Sequence, residues 1–445
     1  MRFITLQENA QRRRTYSNPI TRRKTLSTDP NPIAIIAGGF SGTLCLIQLA
    51  RQSRKKLRLL LVNRDHLARG LAYGTYDPSH LLNVTAGKMS AFSDMPEDFL
   101  NWLKRHPETQ HFTAGDYVPR LYYGQYLADL LAATLHDSAH DICIVEAEAT
   151  RLEPQAEGGF AIFTSIGEFH ALKVVLALGN EPLAIPEDTK HRITPQQLAS
   201  HSLPTDPSAI IEIYGAGLTA VDCYLSLRAR GWAGKIRMVS RAGRLPQPHL
   251  AAPSPCLWPG TLPLRLSELL HCMRQKIRSG APWQQVVDSL RPHLTQIWAA
   301  QTIKARQYFL KKYFGLWNIH RHRMAPQIWA QMHADPQFEI LALNRPPPPT
   351  LTPAALTIHA IGQTYKTADI QNPLLRQLLS DGLVKTHATG YGLATEDYRC
   401  IGKSDGLYTL GPLLIGERLE TTAVPELRVQ AETLAAALLS VTRSV

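Results

Sequence analysis

The chain has 445 residues, 44% of them hydrophobic and 19% charged, and carries a net charge of +12. That length gives room for two or three domains, each able to bury a core of its own. No apolar run approaches the length of a membrane span and the amino-terminal segment has no apolar signal-peptide core, so a cytoplasmic protein is expected.

The first thirty residues hold Arg2, Arg12, Arg13, Arg14, Arg22, Arg23 and Lys24 against Glu8 and Asp29, five of the twelve net positive charges. They have no apolar period and read as a disordered basic tail, without the aromatic interleaving of a nucleic-acid-binding segment, so no nucleic-acid partner is expected. Next comes a βαβ pattern. Pro32 to Ile36 is an apolar strand, the turn Ala37-Gly38-Gly39-Phe40-Ser41-Gly42 follows, Thr43 to Ala50 reads as a helix, and Leu57 to Val62 is the second strand. Such a turn lets backbone N–H groups and the positive end of a helix meet a pyrophosphate with no side chain in the way. Ala37 stands where the leading glycine is usual, and costs about 1–2 kcal/mol if its backbone is left-handed. Asn63 stands where an acid normally accepts from the adenosine ribose.

Beyond this unit lie a helix-like stretch at 122–135, strands at 142–145 and 174–178, and a hairpin around Gly158-Gly159. A second βαβ pattern then begins. Ala209 to Tyr214 is its strand, Gly215, Gly217, Leu218 and Thr219 form its turn, Leu218 to Arg230 is a helix stopped by Gly231, and Ile236 to Val239 returns. That return strand ends in Ser240, Arg241 and Arg244 with no acid, a setting that favours the 2′-phosphate of NADP over NAD. A proline-rich stretch leads to a helical block, in which Leu266, Leu269, Leu270, Met273 and Ile277 fall at helical spacing. Pro346 to Pro349 read as a stiff linker, followed by strands at 356–361 and 407–410 and a terminal helix from Val424.

The pattern predicts an α/β chain with two Rossmann-type dinucleotide-binding domains. Its expected layout is a tail over 1–30, an FAD domain over 31–185, an NAD(P) domain over 186–345 with a helical insertion at about 262–335, and completion of the FAD domain over 346–445. The cysteines, Cys45, Cys143, Cys223, Cys256, Cys272 and Cys400, include no C-x-x-C pair, which removes dithiol reductases and zinc-finger spacings. His320-Arg321-His322-Arg323 suits polar contacts, an anion site or catalysis, but not one shared metal ion, because histidines two apart on a helix diverge. Glu396 and Asp397 read as a solvated turn.

The segments RGLAYGTYDPSHLLNVTAGKMSAFSDMPEDFLNW from Arg69, SRAGRLPQPH from Ser240, WNIHRHRMAP from Trp317 and LGPLLIGERLETTAVPELR from Leu410 resemble the bacterial FAD/NAD(P)-binding family that includes FAD-dependent urate hydroxylase-like proteins. More remotely, HLLNVTAGKMSAFSDMP is similar to part of the class B flavin monooxygenases. The resemblance implies that FAD sits on Gly38, Gly39, Phe40, Ser41 and Gly42, with Asn63 at its ribose. It further implies that Asn83, Met89 and Ser90 border the flavin ring and that Gly411, Thr422, Ala423 and Val424 close over its pyrimidine end. The strand end His359-Ala360-Ile361-Gly362 departs from the family's Cys-Thr-Gly. The implied activity is an NAD(P)H-dependent flavin monooxygenase, NADPH favoured, hydroxylating a small organic molecule with O2. The rivals are an NAD(P)H:acceptor reductase and a non-catalytic dinucleotide-binding protein.

Overall fold

The computed structural model describes residues 32–183, 191–250, 258, 262–343 and 352–440. The basic tail, the proline run Pro346 to Pro349 and Cys256 lie outside them.

Two sheets organise the chain, the second parallel throughout and the first parallel except at its edge, where Arg399–Cys400 pairs antiparallel with Leu407–Thr409 and with Thr395–Glu396. In the first, Ile33–Ile36 is central, with Arg58–Asn63 and Asp141–Glu146 on one side and Lys173–Leu176, Leu407–Thr409, Arg399–Cys400 and Thr395–Glu396 on the other. Ile33 to Ile36 pair in register with Leu59 to Val62 and with Lys173 to Leu176. Every residue of this strand is buried. Alternation sends Ile33 and Ile35 into a core with the helices Phe40–Gln52, Arg120–Asp137 and Val424–Ser440, while Ala34 and Ile36 face the helix Pro373–Ser380 and the hairpin around Gly158-Gly159. Burial on both faces is what a continuous Ile/Ala/Leu/Val run gives in a parallel sheet.

The second sheet runs Phe338–Ala342, Lys235–Ser240, Ile210–Tyr214, Leu356–His359, Arg192–Ile193, with every neighbouring pair parallel. Here one expectation is corrected. Leu356–His359, assigned from the sequence to the completed first domain, pairs with Ile211 to Tyr214, so the second domain extends past residue 345 to His359 at least. A proline run interrupts a chain, but an apolar strand carries no label for the sheet that it joins.

The helical insertion fills the crossover between Lys235–Ser240 and Phe338–Ala342, as Leu266–Arg278, Trp283–Asp288, Leu294–Ala299, Ile303–Lys312, Phe314–Arg321 and Pro326–Ala334. Only the last of these packs on the second sheet, through Ile328 and Met332. The others build a core around Trp298, Leu290 and Leu294 that takes in Ile415 and Leu419 of the first domain. Trp298 Nε1 and Arg306 Nη1 both donate to the Gly416 carbonyl, at 3.1 and 3.2 Å. The expected apolar stripe at 266–277 buries only Leu269, and Leu270 and Ile277 are exposed.

Candidate dinucleotide sites and their junction

The first glycine turn leaves Ile36 at the carboxyl end of the central strand and enters the helix Phe40–Gln52, whose first N–H groups have no intrahelical partner. Ala37 has φ of +74°, so it occupies the left-handed region and carries the strain that its missing glycine would avoid. Gly42 is obligatory for a different reason: a Cβ there would lie 1.9 Å from the Ala37 carbonyl oxygen. Asn63, nearly buried, does not reach outwards with its oxygen. Its Oδ1 accepts from the Gly38 N–H at 2.8 Å and its Nδ2 donates to the Asp65 carbonyl at 2.8 Å, so the amide braces the turn. A carboxylate could perform only the first of these two tasks.

Of the other residues assigned by resemblance, Gly411 lies beside this turn. Gly411 comes within reach of Ser41, its notional Cβ being 3.6 Å from Ser41 Oγ, and its N–H is held by Gln430 Oε1 at 3.0 Å. Thr422 and Ala423 precede the helix that opens at Val424. Met89 is a core residue, and the buried Ser90 spends its hydroxyl on the Met95 carbonyl at 2.6 Å. Arg428 Nη1 donates to the Ser90 carbonyl at 3.0 Å. Two buried polar atoms nearby have no hydrogen-bond partner among the described residues, Tyr123 OH and Arg428 Nε, and the Tyr123 ring lies 6.2 Å from Phe40. An anionic group at the helix start, with unsatisfied donors near it, fits the chemistry of a diphosphate-linked cofactor.

The second turn is more open. Gly215 has φ of +116°, and a Cβ on it would lie 2.0 Å from the Ala360 carbonyl oxygen, so the turn is pressed against the end of the neighbouring strand. Gly217, by contrast, has nothing within 4 Å of its notional Cβ, and Leu218 and Thr219 begin the helix Leu218–Ala229. Ser240 Oγ accepts from the Gly243 N–H at 3.1 Å. Arg241 and Arg244 are exposed beside it.

Between the sheets lies a polar junction that the sequence does not announce. Arg120 Nη1 meets Asp222 Oδ2 at 2.5 Å, and Ser226 Oγ bonds to Asp77 Oδ2 at 2.7 Å and to His80 Nε2 at 2.8 Å, which ties the first domain to the helix Leu218–Ala229. His249 Nε2 donates to the Asn83 carbonyl at 2.8 Å, with Tyr117 beside its ring at 5.6 Å. Burial and the Arg323 charge push His249 down to about 4, so it is neutral at physiological pH. The His320–Arg323 run resolves into contacts: Arg321 Nε to Glu420 Oε1 at 3.1 Å, Arg323 to Asp288, and the His320 ring edge-on to Trp283. Burial, then Arg321 and Arg291, push His322 down to about 3. Arg291 grips Glu426 with two hydrogen bonds, and although burial pushes Glu426 up, that fork holds it below its ordinary value. Among the described residues no cluster of His, Cys, Asp and Glu is arranged to hold a metal. Nor is any described helix long and apolar enough to cross a membrane.

The FAD-NAD(P)-binding family model matches residues 34–181. No curated protein matches the chain. Solved structures do: the reduced form of an ornithine hydroxylase from Pseudomonas aeruginosa is 15% identical with a TM-score of 0.61, covering 93% of this chain and 99% of its own. L-lysine 6-monooxygenase from Pseudomonas syringae is 14% identical with a TM-score of 0.63, covering 92% and 99%. Cyclohexanone monooxygenase is 14% identical with a TM-score of 0.53, covering 93% and 88%. The likeness covers 92–93% of the chain, so the described residues have the fold of flavoproteins with two dinucleotide-binding domains.

Proposed function

We propose that this protein is an FAD-dependent monooxygenase that draws electrons from NADPH and hydroxylates a small organic molecule with O2. The observation that carries the reading is the pair of glycine turns, each at the carboxyl end of a central parallel strand and each opening a helix with unpartnered N–H groups. In the first site the N–H groups from Phe40 to Gly42 would hold the FAD diphosphate, with Tyr123 OH and Arg428 Nε as further donors. In the second, the N–H groups from Leu218 onward would hold the nicotinamide dinucleotide, and Arg241 and Arg244 its 2′-phosphate. FAD, when bound, supplies the hydride acceptor and the reductant of O2.

The protein's own part is positioning and electrostatics. The amino-terminal end of the helix from Val424 puts a positive dipole end beside Gly411, where negative charge on a reduced cofactor is stabilised. Glu426 in that first turn would oppose this, but Arg291 and Arg321 neutralise it. His249, kept neutral, fixes the Asn83 carbonyl at the meeting point of both domains and the insertion. The fold shared with ornithine, lysine and cyclohexanone monooxygenases supports a flavin monooxygenase, and the lack of a C-x-x-C pair in the sequence argues against a dithiol reductase of the same fold.

Purified protein should bind FAD in about one-to-one ratio and be reduced by NADPH. With a substrate that accelerates NADPH oxidation, label from ¹⁸O₂ should appear in the product. Undiminished turnover under nitrogen with a dye acceptor, and no label in air, would establish the acceptor-reductase reading instead.

A further inference from the structure

The second sheet reverses its strand order beside Ile210–Tyr214. From that strand the chain passes through Leu218–Ala229 to Lys235–Ser240 on one side, whereas Leu356–His359 lies on the other. In an open parallel sheet the crevice outside the carboxyl ends at such a reversal is where ligands bind. The two residues that end the flanking strands are Tyr214 and His359. Their rings lie nearly parallel, 14° apart with centroids at 5.5 Å. His359 Nε2 is a buried atom with no hydrogen-bond partner among the described residues. A buried ring nitrogen without a partner is costly, on the order of 1–3 kcal/mol, unless a ligand meets it.

The glycine turn fixes what that ligand faces. Gly215 is packed against the Ala360 carbonyl, which brings the turn and the end of the His359 strand together, while the space in front of Gly217 is clear. From these positions we infer that His359 is a ligand of the nicotinamide dinucleotide, its Nε2–H donating to an oxygen of the diphosphate–ribose backbone held over Gly217. The assignment rests on the reading of the second domain as the NADP site. Burial, with Arg192 nearby, holds His359 below the usual histidine value, so the neutral ring offers one donor and one acceptor. The Tyr214 ring walls the crevice and holds the imidazole plane.

The test is NADP⁺ binding to FAD-loaded protein, followed by calorimetry, with flavin content and melting temperature recorded for each variant. His359→Leu should raise the dissociation constant about fivefold, as expected for one lost hydrogen bond, and His359→Gln, which keeps an N–H, should stay within about twofold of wild type. Gly217→Val, whose side chain meets no protein atom within 4 Å at its Cβ, should fold normally and abolish binding. Loss in Gly217→Val with wild-type affinity in His359→Leu would overturn the role of His359 while leaving the site intact. Failure of the wild type to bind NADP⁺ would overturn the NADP-site reading and this assignment with it.

Discussion

Replacing Ala37 by glycine should stabilise the protein, against the usual direction of such a change. At φ of +74° an alanine places its Cβ against the following carbonyl, a cost of about 1–2 kcal/mol that glycine does not bear. Glycine also loses more backbone freedom on folding, which subtracts about 0.5–1 kcal/mol. The balance is a gain of about 0.5–1 kcal/mol, or a rise in melting temperature of about 1–3 °C for a domain of this size. The hydrogen bond from the Ala37 N–H to the Val62 carbonyl, at 2.8 Å, is unaffected by the substitution. Calorimetry and urea unfolding of protein stripped of cofactor would measure the change. Ala68→Gly is the informative comparison, because Ala68 is also left-handed, at +65°, but fully buried. Its lost methyl costs about 0.8 kcal/mol and should cancel the relief. If Ala37→Gly lowered the melting temperature, the strain argument would be refuted.

Gly42→Ala should cost more than about 3 kcal/mol and eliminate flavin retention, read as the visible absorbance per polypeptide, because the new Cβ collides with the Ala37 carbonyl. Arg241→Glu should raise KM for NADPH at least tenfold and leave that for NADH nearly unchanged; parallel changes in both would argue against a 2′-phosphate pocket. Arg120→Ala should cost about 2 kcal/mol by stranding Asp222, and a double-mutant cycle with Asp222→Ala should show coupling above about 1 kcal/mol. His249, at about 4, lies below the ordinary 6.5, so the native state binds fewer protons than the unfolded chain. Its stability contribution is complete above pH 6.5 and is lost as the pH falls towards 4, about 2 kcal/mol between pH 7 and 5, and His249→Gln should flatten that part of a melting-temperature profile.

Much of the fold was legible because it rests on short-range patterns. The run Pro32 to Ile36, the glycine turn and the following apolar helix give the first βαβ unit directly, and the strand Ile210–Tyr214 gives the second. Even the cost of Ala37 could be framed in advance, leaving only the sign of its φ to be seen. What the sequence concealed was long-range pairing. Nothing in Leu356-Thr-Ile-His359 says which sheet it joins, because an alternating apolar strand satisfies either. The ion pairs Arg120–Asp222, Arg291–Glu426 and Arg321–Glu420 join residues 99 to 135 positions apart, and charges so separated carry no periodic signal. His359 was visible as an unusual residue at a strand end. Its orphaned nitrogen needed the fold.

The docking of the insertion changes how the two halves can move. Although it is threaded into the second sheet's crossover, its larger part shares a core with Ile415 and Leu419 and is pinned by Trp298 and Arg306 to the Gly416 carbonyl. A rotation of the second sheet against the first must therefore either carry the insertion away from Gly416, breaking Arg291–Glu426 and Arg321–Glu420 as well, or leave it behind and bend the chain where it rejoins that sheet. The first course strands buried charges on both sides, at a cost of several kcal/mol for each pair. The second strains the pairing near Pro248 and Met324, where a single bridge and three backbone hydrogen bonds of 3.0, 3.0 and 3.1 Å join the insertion to the segment after Ser240, and the chain that leads into the helix Pro326–Ala334. Physical economy favours the second, which makes the insertion a fixed roof over the Gly411 to Val424 region and confines relative motion to the remainder of the second domain.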